Sequence, residues 1–172
     1  MLEALSRIGG LEVDEVPVTA SPHKSQYRNR MTFTLRRLRG GRVVAGFHGL
    51  HRPGHVVDVR RECVLPEPEI TSAWMSLRDN WGTGARRLPS GGRLRLTLRN
   101  SRSGVDLLIE GGRGTWNPEA LMARVSPIST VWHKASDAGT IELVHGKAQE
   151  EIWIEKELLS VSYTHLTLPT KA

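Results

Sequence analysis

The sequence predicts an α+β fold that is built mainly from antiparallel hairpins and carries two or three short helices. Residues 27–38 and 93–99 alternate apolar with polar side chains, which is the period of a strand with one buried face. A short turn follows each segment and leads into a second strand-like segment. Such hairpins outnumber the places where a helix could join two parallel strands, so we expect antiparallel sheet.

Length and composition are those of a globular protein of one domain. The chain has 172 residues, of which 38% are hydrophobic, and this is enough for a core. Its single cysteine excludes an internal disulfide, and no charged leader precedes an apolar run. No apolar run approaches the roughly 20 residues that cross a bilayer. We therefore expect a cytoplasmic protein without a membrane partner.

The first residues predict a helix and then a short strand. Residues 1–8 place apolar side chains at positions 1, 2, 5 and 8, and the glycines at 9 and 10 end this helical spacing. Residues 11–18 alternate like a short strand or an extended connector, which Pro17 restricts to a sheet edge.

A hairpin and a third strand are predicted between residues 27 and 59. Residues 27–38 form a half-buried strand with a basic outer side. Its buried side carries Tyr27, Asn29, Met31, Phe33 and Leu35, and its outer side carries Arg28, Arg30, Thr32, Thr34 and Arg36. Residues 39–42 make the turn, where glycines allow positive φ, and residues 43–48 return. A turn at 51–54 leads to a strand at 55–59.

Helices and strands share the rest of the chain. Apolar residues at positions 70, 73, 74, 77 and 81 predict a helix over 69–81. Residues 93–99 and 104–109 form a second hairpin, whose leucines cover a core. A short helix at 117–124 has Asn117 as its N-cap and Pro118 as its first residue. Three further short strands are predicted at 130–134, 140–144 and 151–154.

Positive charge is concentrated in one stretch of the chain. The formal net charge is +6, and residues 21–62 contain ten cations against two anions. The cations are Lys24, Arg28, Arg30, Arg36, Arg37, Arg39, Arg42, Arg52, Arg60 and Arg61, and the anions are Asp58 and Glu62. Such a field attracts a polyanion. Because the cations lie on strand-like sequence and not on an amphipathic helix, nucleic acid is favoured over a membrane surface.

The candidate RNA-binding surface lies in this stretch. We assign to it Arg28, Arg30, Arg36, Arg37, Arg60, Arg61, Phe47 and His48. The arginines would bind phosphates from a sheet face, and a solvated sheet face is the alternative. Phe47 or Tyr27 could stack on an unpaired base, with core packing as the alternative.

Three closely spaced histidines invite a metal site. His48, His51 and His55 have no cysteine or carboxylate at the spacing of a zinc site. A solvated turn beside the basic stretch is the favoured interpretation, and there the histidines could contact RNA.

An ordered set of short motifs resembles the RNA (uracil-5-)-methyltransferase family, which acts on tRNA or 23S rRNA. The motifs are YRNR at 27–30, Gly46-Phe47 in the returning strand, Val56-Val57-Asp58, and Cys63 with Leu65-Pro66. The resemblance extends to Trp132-His133, Gly139 and the LVHG run at 143–146. It implies that residues 1–159 are the central RNA-binding domain, between a TRAM-type barrel and a Rossmann-like methyltransferase domain.

The resemblance also implies two cofactors for the parent protein. Family members use S-adenosylmethionine, and many hold a [4Fe-4S] cluster with three upstream cysteines and a fourth that Cys63 matches. The three upstream cysteines are absent here, and a cluster needs several thiolates. We therefore expect neither cofactor in this chain alone, where a structural cysteine is the alternative.

Nothing in the sequence indicates catalysis by this chain alone. A nucleophilic cysteine needs activation and a pocket, and the only cysteine belongs to the cluster motif. The glycines at 111, 112 and 114 follow a hairpin and not a single strand, so a plain loop is favoured over a nucleotide-binding loop. We expect a catalytically inactive fragment.

The last residues do not continue the preceding pattern. Residues 160–172 lack charge until Lys171 and resemble translated vector or adapter sequence at the end of a truncated reading frame, with a core strand as the alternative. The sequence therefore predicts an RNA-binding fragment of a uracil-C5 methyltransferase. The alternative is a structural or protein-interaction domain that binds no RNA of its own.

Overall fold

The computed structural model describes residues 7–10, 20, 23–60, 63–136 and 139–147. These residues form a seven-stranded sheet in the order β3-β2-β1-β4-β5-β6-β7. The strands are β1 (Arg30–Arg37), β2 (Val43–Gly49), β3 (Arg52–Asp58), β4 (Arg93–Ser101), β5 (Gly104–Glu110), β6 (Ile128–Lys134) and β7 (Glu142–His145). The helices are α1 (Pro68–Asn80) and α2 (Pro118–Met122), with 3-10 turns at Arg39–Gly41 and Thr83–Ala85.

The predicted α+β class with a mainly antiparallel sheet is confirmed. All neighbouring strands in this sheet are antiparallel except β5 and β6, which are parallel. The chain passes from β5 to β6 through α2, which is the kind of crossover that a parallel pair requires. None of the helices in the described ranges combines the length and apolar character that a membrane crossing needs.

Strand β1 pairs with β2 and with the central strand β4, and its sequence alternates as a half-buried strand does. Met31, Phe33 and Leu35 are buried on one side, as predicted. The β4 residues in register with them are Leu98, Leu96 and Leu94, which are also buried. The two alternating segments thus share one apolar layer.

Helix α1 covers this layer. Pro68 stands in its first turn, where a missing N–H breaks no helical bond, and Ile70, Ala73, Trp74 and Leu77 are its buried residues. The ring of Trp74 stacks on that of Phe33 with 3.8 Å between centroids. The helix predicted over 69–81 is therefore confirmed within one residue at each end.

The second hairpin and the second helix also follow the prediction. Strands β4 and β5 pair from Arg95 and Glu110 to Ser101 and Gly104, leaving a two-residue turn. The Asn117 side chain caps α2 by accepting a hydrogen bond from the Ala120 amide at 3.0 Å. Residues of α2 and α1 pack into the same hydrophobic core.

Two details of the first hairpin region differ from the prediction. Strand β3 begins at Arg52, within the predicted turn, and an irregularity between His48 and Gly49 takes up the additional residues. Tyr27 and Asn29 are not on the buried side of β1. Both precede the strand, whose pairing with β4 begins at Arg30, and both are exposed, Tyr27 to 48%.

Several predicted segments fall outside the described residues. These are most of the first helix, of which residues 7–9 are described and helical, the strand at 11–18, the strand at 151–154 and the tail at 160–172. The predicted boundary between residues 159 and 160 stays a prediction.

Candidate nucleic-acid interface

The two faces of the sheet have different neighbours. Phe33 stacks on Trp74 of α1, and His145 on the same face lies 2.7 Å from the Glu119 carboxylate of α2. Because successive side chains of a strand alternate, the residues between these core positions project to the opposite side. We call that side the outer face. Neither α1 nor α2 lies on it.

Five arginines of two central strands project from the outer face, and we call this group the arginine face. It consists of Arg30, Arg36, Arg93, Arg95 and Arg99. The register places Arg30 opposite Arg99 and Arg36 opposite Arg93. Like charges directly opposite each other destabilise a sheet, so this arrangement opposes folding. A bound polyanion would relieve that repulsion.

Arg36 and Arg95 of this face each contact a neighbouring group. The Nε of Arg95 lies 3.4 Å from Glu110 Oε2, but the Arg95 side chain is 58% exposed, and such a pair contributes about 1 kcal/mol or less. Arg36 donates to the carbonyl oxygen of Gly54, which carries no net charge. Arg36 therefore keeps its charge, and Arg95 stays accessible to a further anion.

His48 adjoins the arginine face from β2. Its Nε2 lies 3.0 Å from Thr34 Oγ1 and 3.2 Å from Arg93 Nη2. Because a guanidinium can only donate, this geometry has Nε2 as the acceptor and the proton of a neutral ring on Nδ1. The structure thus brings His48 to Arg93, on the face where RNA contact was predicted.

The other predicted arginines are distributed more widely. Arg28 precedes β1, where its guanidinium lies 5.9 Å from the centroid of the Tyr27 ring and its backbone bridges to Pro66. Arg61 lies outside the described residues. Of the six predicted arginines, Arg30 and Arg36 lie on the outer face.

Arg37 points away from the arginine face because it alternates with Arg36 along β1. Its guanidinium donates to four carbonyl oxygens of the segment after α1: those of Gly84 and Ala85 at 2.9 Å each, of Leu88 at 3.4 Å, and of Gly91. Burial lowers the pKa of Arg37 below the ordinary value of an arginine. Arg37 therefore holds this segment to the sheet and does not share a surface with Arg36.

Arg60 belongs to an ion-pair cluster beside β3. Its Nε lies 2.6 Å from Asp58 Oδ2, and its side chain is 70% exposed. The other carboxylate oxygen of Asp58 accepts hydrogen bonds from Arg78 Nη1 and from the Ala45 amide, both at 2.9 Å. Arg60 is thus partly engaged by Asp58, while its exposed side chain remains accessible to solvent.

The pH dependence of stability should report on Asp58. Burial alone would raise the pKa of Asp58, but the hydrogen bonds from Ala45, Arg60 and Arg78 outweigh burial and lower the pKa below its ordinary value of 3.8. At a pH between the folded-state pKa and the unfolded-state pKa of Asp58, the unfolded chain binds more protons than the folded one. The stabilisation by Asp58 is therefore complete above pH 3.8 and is lost as the pH falls through the folded-state pKa. We expect urea midpoints to fall more steeply below pH 4 for the wild type than for Asp58→Asn. Parallel curves for the two proteins would contradict this assignment.

Phe47 lies on the helix-covered side of the sheet. Its ring is tilted against that of Phe33, with 5.2 Å between centroids, and it packs against the hydrophobic core. The preceding Gly46 is required for packing, because a Cβ there would lie 1.9 Å from the Val57 carbonyl oxygen. The Gly46-Phe47 motif thus has a structural reason in this chain, and Phe47 does not share the outer face with the arginines.

Cys63 is a free, partly buried cysteine that packs against the core. Among the described residues, no three histidines, cysteines or carboxylates are grouped so that they could hold a metal ion. A [4Fe-4S] cluster is held by four cysteine thiolates, and the chain has one cysteine. The residues of this chain therefore do not fit such a cluster by themselves.

The glycine-rich residues 111–114 form a connection that packs closely on another loop. They follow β5, and Arg113 forms a backbone bridge with Ser90. A Cβ on Gly112 would lie 2.7 Å from the Pro89 side chain. The helix that follows has only five residues. The positions of the glycines are accounted for by this packing.

Sequence reasoning missed the three arginines of β4. Residues 93–99 were expected to present their leucines to a core, which is confirmed, but their arginines were not assigned to the RNA surface. The available signal was the alternation of arginine or threonine with leucine, which matches the pattern of β1. What was missing was the pairing of β1 with β4, which joins Thr32 to Thr97 through hydroxyls 3.0 Å apart.

Part of the chain is similar to a known protein. No family model matches the chain. The chain is 35% identical over 79 residues to a protein of Thermosynechococcus vestitus that is described as an uncharacterized RNA methyltransferase. The match covers 44% of this chain and 16% of that protein, so the chain spans a small part of the length of this relative. It agrees with the methyltransferase part of the resemblance found in the sequence.

Proposed function

We propose that this chain is the RNA-binding part of an S-adenosylmethionine-dependent RNA methyltransferase, which acts on C5 of uracil in tRNA or 23S rRNA in the cytoplasm. The arginine face carries the proposal, because it places five guanidinium groups on one sheet face without a helix covering them. The similarity to an RNA methyltransferase of Thermosynechococcus vestitus supports the choice of RNA among polyanions.

The chemistry of methylation would belong to other parts of such a protein. S-adenosylmethionine and the nucleophile that attacks uracil would be supplied outside this chain. Cys63 would be one of four cluster ligands only if three further cysteines came from outside the chain as well. In this proposal the role of the chain is to hold RNA phosphates, with Arg28 and Arg60 extending the arginine face.

Removing one cross-strand arginine pair should weaken RNA binding without destabilising the fold. In the double variant Arg36→Gln and Arg93→Gln, two phosphate contacts disappear together with the repulsion between the two side chains. We expect weaker binding to structured RNA and a salt slope reduced by about 1.4, at roughly 0.7 for each contact with single-stranded RNA. Filter binding to a tRNA and to a 23S rRNA fragment across a potassium chloride series measures both.

A matched control is the double variant Arg86→Gln and Arg124→Gln. These exposed arginines follow Thr83–Ala85 and α2, so they do not belong to the sheet strands, while the change in net charge is the same. This variant should keep the wild-type slope. If both double variants lost RNA affinity equally, the loss would reflect the change in net charge and not the arginine face. Salt-insensitive binding by the folded wild type would overturn RNA binding altogether.

A further inference from the structure

An apolar row continues the outer face beyond the arginine face. The register of β5, β6 and β7 places Leu108, Trp132 and Leu143 side by side. All three project from the side opposite the core positions Leu107 and Val131, which are fully buried. Leu143 is 36% exposed, and Leu108 and Trp132 are half-buried. The outer face therefore has a basic half and an adjoining apolar half.

The distance between the apolar row and the arginine face matches the size of one nucleotide. Leu108 pairs with Thr97, between Arg95 and Arg99 on β4. Because neighbouring strands are about 4.8 Å apart, Trp132 on β6 lies about 10 Å from β4 in the direction across the strands. Arginine side chains reach part of that distance. A phosphate held by Arg95 or Arg99 would place an attached base over Leu108 and Trp132.

Trp132 presents carbon surface to this face. Its indole nitrogen is buried and has no hydrogen-bond partner in the structure, so the nitrogen contributes nothing to the exposed part of the residue. A half-buried indole beside two leucines offers a flat apolar surface for stacking. Bases of single-stranded RNA are bound by aromatic side chains on sheet faces in this way.

The acidic residues of β5 do not prevent an approach by RNA. Asp106 is 8% exposed and accepts a hydrogen bond from the Thr130 hydroxyl. Glu110 lies 3.4 Å from Arg95, which offsets its charge. The five arginines of the outer face outnumber the two carboxylates of β5, which favours a ligand that combines negative charge with flat apolar groups.

We propose that the row of Leu108, Trp132 and Leu143 binds an unpaired base of single-stranded RNA by stacking on Trp132, while Arg95 and Arg99 hold the flanking phosphates. This rests on the proposed RNA binding and goes beyond it, because it selects single-stranded over duplex RNA. In a duplex the bases are stacked on each other and cannot lie on the indole. A protein partner would have to combine an acidic surface with an adjoining apolar one to complement both halves.

The test uses the full chain and three RNA probes. The probes are a single strand of about 12 nucleotides, within the roughly 4–16 that one such surface covers, its duplex, and an abasic strand of the same length. We expect the wild type to prefer the base-bearing single strand. Trp132→Ala should weaken that complex by about 5- to 100-fold, leave the abasic complex unchanged and keep the salt slope. Trp132→Phe should retain most of the affinity.

A matched control is Trp116→Ala. Trp116 lies on the helix-covered side, with its ring edge-on to that of His133 at 5.9 Å, and its replacement should not change affinity. Cross-linking of the wild type to a strand that contains 5-iodouridine avoids any folding defect, and the labelled peptide should contain Trp132. Cross-links only elsewhere, or equal affinity for single strand and duplex, would overturn the base site while leaving RNA binding intact. Absence of salt-dependent binding to every probe would overturn both proposals.

Discussion

Replacing Arg78 with methionine is expected to lower the free energy of unfolding by about 3 kcal/mol, because the guanidinium donates to both the Asp58 carboxylate and the Ala45 carbonyl oxygen, and Asp58 would keep only the exposed Arg60 as its cation. Arg78 Nη1 lies 2.9 Å from Asp58 Oδ1, and the two side chains are only 12% and 15% exposed. The guanidinium also lies 5.5 Å from the ring of Trp74 and 5.1 Å from that of Trp81. Methionine keeps most of the apolar contact and removes the charge. Urea unfolding followed by circular dichroism measures the loss.

The exposed ion pair on the outer face provides the matched control. Arg95→Met breaks the contact with Glu110, but that arginine is 58% exposed and the expected loss is about 1 kcal/mol or less. A double variant with Arg78→Met and Asp58→Asn should recover part of the stability, because the partly buried carboxylate charge that lost one of its two cations is then removed as well. If Arg78→Met lowered the free energy of unfolding no more than Arg95→Met does, the partly buried ion pair of Arg78 and Asp58 would stabilise the fold no more than an exposed pair.

Local patterns were sufficient to predict much of the fold. The alternation of β1 and of β4, the helical spacing of α1 and the Asn117 cap each depend on residues close in sequence, so they could be read directly. The pairing of β1 with β4 joins segments about 60 residues apart and depends on the whole sheet. Sequence alone therefore could not place Arg93, Arg95 and Arg99 beside Arg30 and Arg36.

The candidate site was predicted only in part for the same reason. Arg30, Arg36 and His48 lie on the outer face, whereas Phe47 packs on Phe33 and Arg37 turns to the other side. The alternation of a strand separates Arg36 from Arg37, but what each would contact depends on distant segments. The carbonyl groups that hold Arg37 come from a segment about 50 residues away, which no local pattern identifies.

Arg37 should therefore behave as a structural residue although its neighbour behaves as a binding residue. Arg37→Met removes a partly buried guanidinium from four carbonyl oxygens between residues 84 and 91. Hydrogen bonds to charged groups contribute about 1.5–3 kcal/mol each, and part of this loss is recovered when water reaches the freed carbonyls. We expect the free energy of unfolding to fall by about 3 kcal/mol, measured by urea unfolding.

The adjacent Arg36 gives the matched substitution, since Arg36→Met changes the same residue type on the same strand. Its side chain is exposed on the arginine face, opposite Arg93, so its loss relieves repulsion and should leave stability nearly unchanged. In RNA binding the order should reverse, because Arg36→Met lowers the salt slope by about 0.7 while folded Arg37→Met does not. If both variants lowered the salt slope equally, Arg37 would reach RNA as well, and the division between the two faces of the sheet would be wrong.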